Sequence, residues 1–137
     1  MIKYFVMICF LLGFKSYSQE TRVNSENPVT YKSAEFPGGD SAFSKEFLKM
    51  IHAYIDLGLY AVNGKFVFTF DVDENGKVIN LKVLPKVKNS EMFIEDMQFA
   101  MKKVKKKWKP AVKNGKPVLS QKIISIYFTS DHFDHGD

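Results

Sequence analysis

The chain has 137 residues, of which 45% are hydrophobic and 26% are charged, and its formal net charge is +5. This length fits one domain with at most a short tail, and the hydrophobic fraction excludes a chain that is disordered throughout. Residues 101–118 hold eight lysines and no acidic residue, so the rest of the chain sums to 5 − 8 = −3. The basic character is therefore confined to one segment.

The N-terminus has the features of a secretory signal peptide. Lys3 precedes an uncharged, mostly apolar run over residues 4–14, and residues 16–18 place serines at the two positions that a signal peptidase reads. The run is shorter than the roughly 20 residues that a membrane-spanning helix needs. This favours a cleaved signal peptide over residues 1–18 rather than a retained anchor. Residues 19–35 are polar and aperiodic, and we interpret them as a short linker.

The first predicted helix covers about residues 41–56. It follows the turn sequence Pro37-Gly38-Gly39, and Asp40 is a favourable residue for its N-cap. We expect this helix to stop at Gly58. Its apolar residues recur at helical spacing and form one stripe: Phe43, Phe47, Met50, Ile51 and Tyr54.

A β-hairpin is predicted over residues 65–84, where apolar and polar residues alternate on both sides of Asn75-Gly76. A turn centred on this dipeptide pairs residues whose numbers sum to 151. The resulting apolar pairs lie on one face: Val72 with Ile79, Phe70 with Leu81, and Phe68 with Val83. The acidic residues Asp71, Asp73 and Glu74 resemble part of a calcium loop, but the distal Glu is missing, so a structural turn is the preferred interpretation.

A second helix is predicted from Ser90 to Pro110, followed by a turn at Asn114-Gly115 and a third strand over residues 122–128. The apolar stripe of this helix ends at Trp108, and the lysines occupy the remaining positions. We therefore interpret the lysine run as a solvated helix face and not as a nucleic-acid site. Contact with anionic lipid headgroups or with an acidic partner stays open.

These elements predict an α+β fold: two helices packed on one three-stranded antiparallel sheet, in the order helix-strand-strand-helix-strand. A right-handed crossover gives the sheet order 2-1-3, which leaves the last strand at an edge. The domain itself covers residues 36–129, and residues 130–137 form a flexible tail.

No catalytic or cofactor motif is present in the sequence. It lacks G-x-S-x-G, H-E-x-x-H and a glycine-rich phosphate loop, and its only cysteine, Cys9, lies inside the predicted signal peptide. We therefore expect a non-enzymatic protein with no cofactor, no metal site and no catalytic residue.

The sequence resembles the C-terminal domain of TonB-type energy transducers, in the form common in Bacteroidetes. The resemblance rests on EFPGGDSAF, FDVDENGKVINLKVL, KKWKPAVKNGKPV and IISIYF, in this order within residues 35–128. It implies a periplasmic domain whose last strand pairs with an extended peptide, the TonB box, of an outer-membrane receptor. The matching positions are Lys122, Ile123, Ile124, Ser125, Ile126, Tyr127 and Phe128.

The chain departs from the family in two features. It has a cleavable signal in place of a membrane helix and a long Pro-rich spacer. Residues 52–65 also lack the Tyr-Pro pair and the following turn of helix that family members carry. Two alternatives therefore stand beside a free receptor-binding domain: a subunit anchored by an uncleaved N-terminal helix, and a structural domain that dimerises through its edge strand.

Overall fold

The computed structural model describes residues 27–129. Within them two helices and six strands follow in the order β1 (Tyr31–Lys32), α1 (Asp40–Tyr54), β2 (Gly64–Val72), β3 (Val78–Leu84), α2 (Ser90–Lys103), β4 (Ala111–Lys113), β5 (Lys116–Val118) and β6 (Ser120–Phe128), with one turn of 3-10 helix at Leu57–Leu59. The predicted signal peptide and C-terminal tail lie outside the described residues.

The strands form two antiparallel sheets of three strands each, in the orders β3-β2-β6 and β1-β4-β5. The prediction of one three-stranded sheet is therefore wrong. The three strands predicted from the sequence make up the first sheet, and the second sheet went unpredicted. Its strands have only two or three residues each, which is too short for a period-two pattern to be recognised.

The second sheet depends on a tight turn and a paired edge. Asn114 and Gly115 both have positive φ, 50° and 78°, as the turn between β4 and β5 requires. β1 pairs with β4, and an isolated bridge joins Glu35 to Lys109. The segment 31–35 thereby pairs with the segment that leads into β6. Residues 31–35 come from the end of the region interpreted as a linker.

α1 packs its apolar stripe on β2. Phe43, Phe47 and Ile51 are buried, and the Phe47 ring contacts the Phe68 ring edge-on at 5.4 Å between centroids. Burial of each such side chain contributes about 1.5–3 kcal/mol. The N-cap is Gly39 and not Asp40, which is the first helical residue. Asp40 instead makes a long-range ion pair, described below.

α2 ends at Lys103, seven residues before the predicted stop at Pro110. Phe93, Met97, Ala100 and Met101 are buried as the stripe predicted, but Val104 is extended and the following lysines lie in a non-helical segment. The interpretation of the whole run as a helix face is therefore wrong. The break allows the chain to turn toward α1, where Trp108 joins the core.

The short segment between α1 and β2 is more ordered than the sequence suggested. It contains the turn of 3-10 helix, which Asp56 caps: the Gly58 N–H donates to the Asp56 carboxylate at 3.0 Å. Tyr60 then donates its buried hydroxyl to Asp96 of α2 at 2.5 Å. Burial, together with the hydrogen bond to the Asp96 carboxylate, raises the pKa of Tyr60 to about 12. The expected lack of a helical turn here is wrong.

The hairpin keeps the predicted register only away from its turn. Phe68 pairs with Val83 and Thr69 with Lys82, but Asp71 pairs with Ile79 instead of Asn80. In the turn only Gly76 has a positive φ, whereas the predicted two-residue turn needs a positive φ at both of its residues. The loop is therefore one residue longer than predicted, and the additional residue lies on its N-terminal side. A bulge at Asn80, whose φ is 55°, restores the predicted pairs.

Trp108 packs directly against this turn. A Cβ at Gly76 would lie 2.2 Å from the Trp108 carbonyl oxygen, so only glycine fits. Gly115 shares the positive φ, 78° against 79° for Gly76, but a Cβ there would meet nothing within 4 Å. A substitution at either glycine therefore strains the backbone, but only a substitution at Gly76 also creates a steric clash.

We expect Gly76→Ala to lower the free energy of unfolding by about 1–3 kcal/mol more than Gly115→Ala, the usual cost of forcing extra atoms into a packed site. Urea denaturation of both variants, followed by circular dichroism, measures the difference. Equal losses would mean that the contact between Trp108 and the turn does not constrain the fold.

Candidate functional site

β6 occupies one edge of the larger sheet. All nine of its residues pair with β2, from Ser120 opposite Val72 to Phe128 opposite Gly64. Within residues 27–129 no strand pairs with its other side. The outer edge of β6 therefore presents backbone N–H and C=O groups that a further strand can bond.

The predicted partner-binding residues 122–128 all lie on β6, where they divide between two faces. Ile124, Ile126 and Phe128 are buried beneath the helices. Ile123 and Tyr127 are 61% and 63% exposed on the opposite face, with Ser125 exposed between them. The buried side chains fix the strand in place, while the exposed ones are free to contact a bound chain.

Lys122 faces inward, unlike the exposed members of this set. Its ammonium lies 3.0 Å from the Asp40 carboxylate and 5.4 Å from the centroid of the Trp108 ring. The side chain is only 15% exposed, so these contacts are partly desolvated. Lys122 therefore positions the start of β6 and is not itself presented to a partner.

The opposite edge, β3, is a poorer template for strand addition. It has seven residues, its register is broken by the bulge at Asn80, and the Asn80 amide donates to Asp71 at 2.8 Å. Bulges twist an edge away from regular pairing. Because the pairing of β6 with β2 runs without such a shift, β6 is the more regular of the two edges.

The acidic hairpin turn is structural. Asp73 accepts hydrogen bonds from the backbone N–H groups of Asn75 and Lys77, both at 2.9 Å. These hydrogen bonds agree with the interpretation of a structural turn. In the part of the chain that the structure describes, no three His, Cys, Asp or Glu side chains group as metal ligands.

Sequence reasoning missed the partner of Asp40. The sequence neighbours of Asp40 favour a helix cap, whereas Lys122 lies 82 positions further along the chain. No local pattern indicates such a pair. In contrast, the alternation of KIISIYF predicts the strand, and the right-handed crossover places it at an edge, as the structure shows for β6.

Neither helix within residues 27–129 has the length and apolar character needed to cross a bilayer. The N-terminal run that would form the membrane anchor of an uncleaved subunit lies outside these residues.

A comparison with family models matches residues 61–130 to the family described as Gram-negative bacterial TonB protein C-terminal. A comparison with curated proteins finds no match. The matched region runs from the end of the 3-10 turn through β6 and contains all seven predicted partner-binding positions. Domains of this family are non-enzymatic protein-interaction domains of the Gram-negative envelope that interact with outer-membrane receptors. The match covers just over half of the 137 residues and confirms the resemblance seen in the sequence. The chain therefore belongs to the TonB C-terminal domain family of transport-associated domains.

Proposed function

We propose that this protein binds an extended peptide of an outer-membrane receptor by adding it as a strand to the outer edge of β6. The observation that carries the proposal is the open edge of β6 within the region that matches the family. The role is that of a binding domain, without catalysis and without a cofactor.

Backbone pairing would supply affinity but little selectivity. Each hydrogen bond added along the strand contributes only about 0.5–1.5 kcal/mol net, and the ordering of a flexible peptide offsets part of that gain. Selectivity would then come from side chains beside the bound strand. Ile123 and Tyr127 are the large exposed side chains on β6, which favours a peptide with apolar residues at alternate positions on that face.

The same edge could instead receive β6 of a second copy, which is the homodimer alternative. Two edges of nine residues can pair antiparallel about a two-fold axis. Receptor peptide and second copy would then compete for the same backbone groups. This makes the oligomeric state of the free protein a control for every binding measurement.

We expect Ile123→Ser combined with Tyr127→Ser to weaken binding of a TonB-box peptide about two- to thirtyfold, since each change removes a cross-strand apolar contact worth about 0.2–1 kcal/mol. Leu84→Ser is the matched control, because Leu84 is 62% exposed and lies on β3 at the opposite edge. NMR titration of the labelled protein supplies both the affinity and the location of the bound peptide.

Shifts of backbone amides should cluster in residues 122–128. Shifts that cluster on β3 instead, or equal affinities for all three proteins, would contradict strand addition at β6. Sedimentation across a range of concentrations, without peptide, should show a monomer. A dimer that dissociates when peptide is added would show that the peptide and the second copy bind the same edge. A dimer that persists would contradict the proposal.

We further propose that the protein reaches the periplasm as a free domain after signal cleavage. The family's place in the envelope and the N-terminal pattern at residues 1–18 support this. N-terminal sequencing of the protein isolated from cells should give a first residue of Gln19. An intact N-terminus in a membrane fraction would contradict cleavage and support the anchored subunit.

A further inference from the structure

A second concave site lies away from the edge of β6. It is a cavity of about 590 Å³ between the hairpin turn, β3 and the segment that follows α2. Pockets for small molecules have volumes of roughly 300–1,000 Å³. Four buried or nearly buried apolar side chains contribute to its lining: Phe43, Leu81, Met101 and Trp108.

Positive charge surrounds this apolar lining. Lys77, Lys102, Lys106 and Lys107 all line the cavity and all are exposed, and its lining contains no Asp or Glu. Positive charges around one cavity repel each other, and an anion among them would relieve that repulsion. The break of α2 at Lys103 is what brings the later lysines beside β3.

Trp108, which lines the cavity, carries a buried and unpartnered indole N–H. Its side chain is 5% exposed, and its indole N–H has no hydrogen-bond partner among the described residues. The indole nitrogen can only donate, and buried donors in native proteins almost always have an acceptor. Because Trp108 lines the cavity, a ligand bound there would change the surroundings of its indole.

We propose that this cavity binds a small amphiphilic anion, with an apolar body against Leu81 and Trp108 and a carboxylate or phosphate group among the four lysines. This site goes beyond the proposed receptor binding and does not depend on it.

The chain offers a specific reporter for this site, because it contains one tryptophan. In a nitrogen-15 NMR spectrum the Trp108 indole N–H is therefore a single resolved signal. We expect 2-naphthoate to shift it saturably. The uncharged isostere 2-naphthamide should bind at least about fivefold more weakly, because it lacks the attraction to the lysines.

A pair of double variants tests the role of the lysines. Lys106→Ala with Lys107→Ala should weaken naphthoate binding about fivefold or more, whereas Lys45→Ala with Lys49→Ala should not change it. Lys45 and Lys49 are exposed on α1 and do not line the cavity. Both double variants remove two exposed charges, so a general effect of net charge would affect them equally.

A parallel titration with vesicles of anionic phosphatidylglycerol distinguishes binding of a soluble ligand from binding to a membrane surface. An indole shift with naphthoate and none with vesicles supports the proposal. A shift with vesicles alone would contradict a small-molecule site. Naphthoate binding that is absent, equal to that of naphthamide, or unchanged in the Lys106/Lys107 variant would also overturn it.

Discussion

The packing of Trp108 is the constraint on which the rest of this structure depends. Its ring contacts three phenylalanine rings, those of Phe36, Phe43 and Phe70, at centroid distances of 4.9–5.6 Å. Its backbone carbonyl lies against Gly76 at the hairpin turn. One residue thus joins the N-terminal segment, α1, the central strand and the hairpin, and the next residue, Lys109, bridges to Glu35 beside the second sheet. Aromatic contacts of this kind contribute about 0.5–1.5 kcal/mol each beyond their buried area.

The same residue connects the core to the proposed binding edge. Lys122 lies over the Trp108 ring and pairs with Asp40, so the start of β6 is held by its contacts with a carboxylate and with a buried aromatic ring. From there the strand is fixed on one side by β2 and beneath by its buried side chains. A strand fixed in this way loses little conformational freedom when a partner binds, which favours affinity. Its other side keeps the backbone groups on which strand addition depends.

The sequence predicted those parts of the fold that local patterns encode. The alternation around Asn75-Gly76 and in KIISIYF located the hairpin and the edge strand, and the helical stripe located the buried residues of α2 through Met101. It could not predict where α2 ends, because the lysines and Val104 suit a helix and only the tertiary packing of Trp108 breaks it. The pair of Asp40 with Lys122 and the second sheet were missed for a related reason. Both depend on contacts between segments far apart in sequence, and the strands involved are too short to show a period.

The central claim is that β6 has one bonded side and one open side, and amide hydrogen exchange of the free protein measures this directly. In an antiparallel pair, alternate residues bond the neighbouring strand. Amides of β6 should therefore alternate, with those that donate to β2 strongly protected and those between them exchanging close to the rate of an unstructured peptide. Uniform protection across residues 122–128 would contradict the account, because it would mean that the outer edge is already occupied.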